Sequence, residues 1–167
     1  YREKGHTWPD EPSLGWKPWS ADMRAECFAA QNAAVILDQS MYAKIQVQGS
    51  DAARALNRVC GVQMDVPMGT SVYTQFLNAK GGIEADVTVT RTAPETFMVI
   101  TGHPSQIRDL HYLRHHADPD WRFEVFDATS AFSLLTLHGP KARGILQALS
   151  SDDLSATAFP FGAAREV

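Results

Sequence analysis

Cysteine is scarce. The 167 residues hold two, Cys27 and Cys60, too few and too far apart for a disulfide framework. Each falls in an apolar helical pattern, so both read as small core hydrophobes in a reducing compartment. Basic charge is not in excess: 15 Lys and Arg face 19 Asp and Glu, for a net charge of −4. That argues against nucleic acid, whose proteins carry a basic footprint. No apolar run is long enough to span a bilayer, and no signal-peptide pattern occurs. Also lacking are the glycine-rich phosphate-binding turns GxGxxG and GxxxxGK[ST] and the nucleophile elbow GxSxG.

What is present is an ordinary globular composition, 44% hydrophobic and 20% charged. The chain starts at Tyr1 and ends at Val167 inside a strand-like pattern, so a piece of a longer protein is expected. Residues 1–19 carry Trp8, Trp16 and Trp19 among three prolines and two glycines. Pro and Gly predict irregular backbone, and three large indoles predict packing, so this is read as an ordered Trp/Pro-rich linker. Residues 20–167 are read as one domain.

Ser20 caps a predicted helix over 21–34, with Met23, Cys27, Ala30 and Ala34 on one stripe. Ala43, Ile45 and Val47 alternate with polar neighbours and predict a strand. Ser50 or Asp51 starts a second helix with Ala52, Ala55, Leu56 and Val59 inward. VYTQFLN and GGIEADVTVTR, joined by NAKGG, form a hairpin, and TFMVIT follows as a third strand. Pro104 opens a helix with Ile107, Leu110 and Leu113 inward. WRFEVFD and AFSLLTLH read as strands, and Gly139-Pro140 leads a last helix with Ala142, Ile145, Leu146 and Leu149 on one face. Helices alternating with antiparallel hairpins give an α+β class built from split β-α-β units.

His111 and His115 lie four apart on a predicted helix, with His116 next. No glutamate stands between them, the stretch is polar, and cations favour a helix C-terminus, so no metal site is assigned. HGPKARG suits close packing of a helix on a strand. The hairpin is more informative. Tyr73 sits on one strand, and Asp86 and Thr88 share a face of the other. A tyrosine can stack on a flat ring and donate its hydroxyl, while a carboxylate accepts from ring nitrogens or holds a developing cation. A solvated sheet face explains the same residues, and both readings stay open on pattern alone. Glu84, nearer the turn, reads as solvated.

LDQSMYAKIQVQGSDA at 37–52, Tyr73-Thr74, GGIEADVTVTR at 81–91, LLTLHGPKARGIL at 134–146 and DLSATAFPF at 153–161 together resemble the folate-binding aminomethyltransferase family. That family includes the glycine cleavage T-protein and the C-terminal folate domains of dimethylglycine and sarcosine dehydrogenases. The likeness to the dehydrogenases is nearer, because LGWKPW resembles their lead-in from a flavin domain. The resemblance implies tetrahydrofolate-dependent one-carbon transfer, coupled to flavin-dependent oxidation of an N-methyl amine. It implies tetrahydrofolate and a small-molecule substrate as ligands, with FAD in an upstream domain and not on this segment. It also implies a bacterial cytoplasm or, in a eukaryote, the mitochondrial matrix.

By the same resemblance Asp86 is the catalytic carboxylate. Tyr73 and Thr88 contact the folate, Met41 lines its pocket, and Ile100 offers a backbone contact. Ala85 stands where the T-protein has a second acidic residue. The alternatives are a folate-binding iron–sulfur assembly protein, a folate-dependent demethylase, or an interaction module without chemistry.

Overall fold

The computed structural model describes residues 20–167. The linker expected over 1–19 lies outside them. The elements run α1 (Ser20–Asn32), β1 (Val35–Asp38), β2 (Ala43–Gln48), α2 (Ala52–Val59), β3 (Ser71–Leu77), β4 (Ile83–Ala93), β5 (Thr96–Thr101), α3 (Gln106–His115), β6 (Glu124–Asp127), β7 (Leu135–His138) and α4 (Ala142–Gln147). The described residues fall into two compact units, one holding 20–37 with Thr136–Ser151, the other Asp38–Leu135 with Asp152–Val167.

The larger unit is built on a five-stranded sheet in the order β3-β4-β5-β2-β6, every neighbouring pair antiparallel. Period-2 alternation gives the sheet one apolar face. Ile45, Val47, Phe76, Val87, Val89, Phe97, Val99 and Val125 are buried there with Leu56 and Val59 of α2 and Leu113 of α3. The inward residues expected for α2, namely Ala52, Ala55, Leu56 and Val59, are all buried.

Two local devices set the geometry. At the β3–β4 turn the Asn78 side-chain oxygen accepts from the Lys80 and Gly82 amides, both at 2.9 Å. Gly81 there has φ +78°, a conformation that costs other residues strain. At the end of β2, Gly49 has φ +141°, and a Cβ on it would lie 2.4 Å from the Arg122 carbonyl oxygen. That position closes only with glycine.

Several expectations are corrected. β1 was not visible in the pattern; it pairs with β7 in a separate two-stranded sheet. Of AFSLLTLH, only Leu135–His138 is strand, and 129–131 form a short 3-10 turn. No residue of α1 is buried: Met23 is 47% exposed and Cys27 is exposed, not a core hydrophobe. Ile145 and Leu146 of α4, and Leu149 just after it, are exposed too. A helical stripe is buried only where another element lies over it.

On α3 the inward line runs through Asp109 and Leu113, so Ile107 points out and is 82% exposed. The cause is polar. Asp109, 1% exposed, accepts from the Thr101 hydroxyl at 2.5 Å and from Arg108 Nε at 2.9 Å, and a buried carboxylate so held turns the helix. The three histidines make ring contacts. His111 stacks on His115 at 3.6 Å between centroids and His116 on Tyr112 at 3.8 Å.

Candidate functional site

Directly paired residues of an antiparallel sheet share a face. Tyr73 pairs with Thr88, Thr88 with Ile100, and Ile100 with Lys44. These four form one row across β3, β4, β5 and β2, on the face opposite the apolar core. The next row toward the hairpin turn holds Gln75 opposite Asp86. Ser71, Thr90, Met98 and Gln46 form the row on the other side. Four of the five residues expected at the site, Asp86, Tyr73, Thr88 and Ile100, are therefore brought together. Met41 is not in the sheet. It lies in the loop entering β2, 62% exposed.

The centre of the cluster is a carboxylate with two donors on one oxygen. The Tyr73 hydroxyl donates to Asp86 Oδ1 at 2.9 Å, and Gln75 Nε2 donates to the same atom at 3.1 Å. Oδ2 accepts no bond from the described residues. The Tyr73 ring is 65% exposed, Asp86 is exposed, and Thr88 and Ile100 are half-buried. Chemically this is a flat wall with an available carboxylate oxygen, a hydroxyl beside it and an aromatic ring at its edge. The concavities of about 560 Å³ around Trp121, Arg122 and Phe123 and of about 520 Å³ around Met68, Arg91 and Arg165 include neither Asp86 nor Tyr73. The face is an open wall and not a closed cavity.

A bulge explains why Asp86 stands in this row. Phe76 pairs with Ala85, but Leu77 pairs with Ile83, so Glu84 is the extra residue. Glu84 is half-buried and accepts from Asn78 Nδ2 at 2.7 Å. Burial, then the charge of Glu84, pushes the Tyr112 phenol above its ordinary value. Glu84 is thus a partnered, half-buried bulge residue and not a solvated one.

Sequence reasoning missed two residues. Gln75 lies two positions after Tyr73 on the same face of β3, so counting alternation from the turn would have found it. Lys44 is 2% exposed, although its type belongs at the surface. Its Nζ donates to the Ser40 carbonyl at 2.8 Å and the Tyr42 carbonyl at 2.9 Å. Among the described residues no carboxylate comes within salt-bridge distance of it. The two carbonyls flank Met41, so this ammonium sets the backbone that presents Met41. Ser40 adds to that loop: its hydroxyl accepts from the Leu134 amide at 3.0 Å, and its amide donates to Asp38 at 2.9 Å. The Ser40 side-chain and backbone bonds hold the Asp38 carboxyl below its usual range.

Comparison with known proteins agrees with this architecture. Sarcosine dehydrogenase of Mus musculus, a mitochondrial protein by its name, is 31% identical over 166 residues, covering 91% of this chain and 18% of its own length. The formaldehyde-forming 4-methylaminobutanoate oxidase of Paenarthrobacter nicotinovorans is 35% identical over 143 residues, 86% of this chain and 17% of its own. The chain thus spans under a fifth of the curated relatives it matches. Among solved structures, the glycine cleavage system aminomethyltransferase T of Bartonella henselae superposes with a TM-score of 0.68 at 24% identity, covering 88% of this chain and 40% of that one. It shares the fold, a mixed α/β arrangement on antiparallel sheets. The model of the GCVT N-terminal domain matches residues 1–167, and the chain belongs to that family.

Proposed function

We propose that the open face of the five-stranded sheet binds a reduced folate and that Asp86 assists one-carbon transfer on it. The observation that supports this most is the Tyr73–Asp86 hydrogen bond across β3 and β4. It joins an exposed aromatic ring to a carboxylate that still has a free oxygen. The residues fit such a ligand: the face offers an acceptor for a ring N–H, the Thr88 hydroxyl beside it, and the half-buried Ile100 in the same row. Bound tetrahydrofolate would supply the nucleophilic ring nitrogen that takes up the one-carbon unit.

Asp86 has two tasks in this reading. Its charge stabilises an incoming iminium cation at close range. Its free oxygen accepts the proton released as the new carbon–nitrogen bond forms, and returns it to the departing amine. Tyr73 and Thr88 hold the acceptor ring, so the encounter becomes effectively intramolecular. Met41, presented by the loop that Lys44 clamps, covers the edge of the site and keeps water from the iminium, because water would release formaldehyde.

The likeness to sarcosine dehydrogenase suggests that the iminium arises by flavin-dependent oxidation of an N-methyl amine elsewhere in the native protein. The 167 residues carry no glycine-rich dinucleotide turn. A second reading has the iminium hydrolysed to formaldehyde, and the 4-methylaminobutanoate oxidase is formaldehyde-forming by its name; the exposure of Tyr73 and Asp86 favours this reading when no folate is bound. Asp86→Asn in the native gene product separates the readings. Loss of transfer to tetrahydrofolate with retained amine oxidation supports the folate reading, and unchanged transfer refutes it.

A further inference from the structure

We propose that Gln75 is a positioning residue for Asp86, and that with Tyr73 it determines which carboxylate oxygen does the work. This rests on the folate reading above. Gln75 lies directly across the β3–β4 ladder from Asp86, and Tyr73 lies two residues back on the same strand. Both donate to Oδ1, at 3.1 and 2.9 Å, and neither to Oδ2. A carboxylate can accept about four hydrogen bonds over its two oxygens, so two donors converging on one atom fix the rotation of the group. Oδ2 keeps its lone pairs for the ligand.

The two donors are not equivalent. The Tyr73 ring is 65% exposed, and it is the group a flat ligand would displace or stack upon. Gln75 is half-buried on that same face and stands directly across the ladder from Asp86, so its bond does not depend on where the Tyr73 ring lies. Its amide is also neutral. It orients the carboxylate without placing a cation beside the incoming iminium, which an arginine or lysine at 75 would repel.

Proton balance follows from this assignment. As the carbon–nitrogen bond forms, the N–H bond of the attacking nitrogen breaks and an Oδ2–H bond forms, leaving Asp86 a neutral acid. The same proton then passes from Oδ2 to the amine nitrogen as that nitrogen's bond to the transferred carbon breaks; the lone pair of the nitrogen that attacked forms the new carbon–nitrogen double bond, and the carboxylate is restored. Oδ1 keeps the Gln75 donor throughout.

The test uses Gln75→Leu in the native gene product. The probes are N-methylglycine, N,N-dimethylglycine and 4-methylaminobutanoate as amines, with tetrahydrofolate as acceptor. Two quantities are read: the tetrahydrofolate dissociation constant, and the fraction of one-carbon units captured rather than released as formaldehyde at saturating folate. The expected result is a tetrahydrofolate affinity within about twofold of wild type and a captured rate down about tenfold. That is less than the roughly 10²–10⁴-fold expected for loss of the base itself. Gln75→Met, which keeps the chain length without the donor, gives the same result and serves if the leucine variant does not fold. Unchanged capture overturns the proposal. So does weaker binding with unchanged capture at saturation, which would make Gln75 a ligand contact. If wild type itself captures nothing on tetrahydrofolate, it is the folate reading that has failed.

Discussion

Lys44→Met separates stability from site geometry. Lys44 is 2% exposed; its ammonium has two carbonyl acceptors, at 2.8 and 2.9 Å, and among the described residues no carboxylate at salt-bridge distance, the Asp38 carboxyl feeling its charge from farther off. Hydrogen bonds from a charged donor return about 1.5–3 kcal/mol each, so roughly 3–6 kcal/mol for the pair. Removing an ammonium from water costs several kcal/mol even after the protein relaxes. The terms nearly cancel. Methionine keeps most of the buried stem, so the variant should unfold within about 2 kcal/mol of wild type. Lys44→Ala also loses the stem and leaves a cavity, and should cost about 2–5 kcal/mol.

What methionine cannot do is hold the Ser40 and Tyr42 carbonyls, so amide exchange around Met41 should quicken while the sheet core stays protected. Urea denaturation of the three proteins, with exchange read residue by residue, checks this. If Lys44→Met is as unstable as Lys44→Ala, the ammonium carries net stability and the cancellation is wrong. If exchange at 40–42 does not change, the clamp on the Met41 loop is wrong.

Further outcomes concern the scaffold and the thiols. Gly49→Ala should cost more than about 4 kcal/mol, since its φ is +141° and a Cβ would meet the Arg122 carbonyl at 2.4 Å. Gly81→Ala, with φ +78° and nothing within 4 Å, should cost only about 1–2 kcal/mol; equal costs in urea melts would show that the close approach at Gly49 is not limiting. For the thiols, burial pushes Cys60 up to about 12 from an ordinary 9.0, while Cys27 is exposed. A disulfide reagent at pH 8 should therefore modify Cys27 quickly and Cys60 only after unfolding. The folded state keeps the Cys60 proton that the unfolded state sheds, so its contribution to stability is full below pH 9 and is lost as pH rises through about 12. Two fast thiols in the native protein would contradict the burial.

Much of the larger unit was legible because period-2 alternation is a strong signal where one face is buried. Ile45, Val47, Val87, Val89, Phe97 and Val99 all alternate and are all buried. The same pattern put Tyr73, Asp86 and Thr88 on the other face. Helix faces were less legible. Asp109 looks like a surface residue until the Thr101 hydroxyl opposite it is known, and that contact depends on tertiary placement. In the stripes predicted for the first and last helices Met23, Cys27, Ile145, Leu146 and Leu149 are exposed, which a periodicity cannot show, since it marks a potential to be buried and not a partner. Glu84 was misplaced because alternation assumes an unbroken ladder, and the bulge between β3 and β4 inserts one residue. Gln75 and Lys44 escaped because their roles depend on cross-strand register and on a buried loop carbonyl pair, which local sequence does not print.

The central claim is that Asp86 is the group on this face that turns folate binding into one-carbon capture. The direct measurement is Asp86→Asn beside wild type in the native gene product, with tetrahydrofolate affinity and capture at saturating folate read on the same samples. The substitution keeps size and the contact with Tyr73 but removes the charge and the proton acceptor. The account predicts that tetrahydrofolate still binds, that amine oxidation continues, and that capture falls by about 10²–10⁴-fold with formaldehyde released in its place. Capture at the wild-type rate would contradict it.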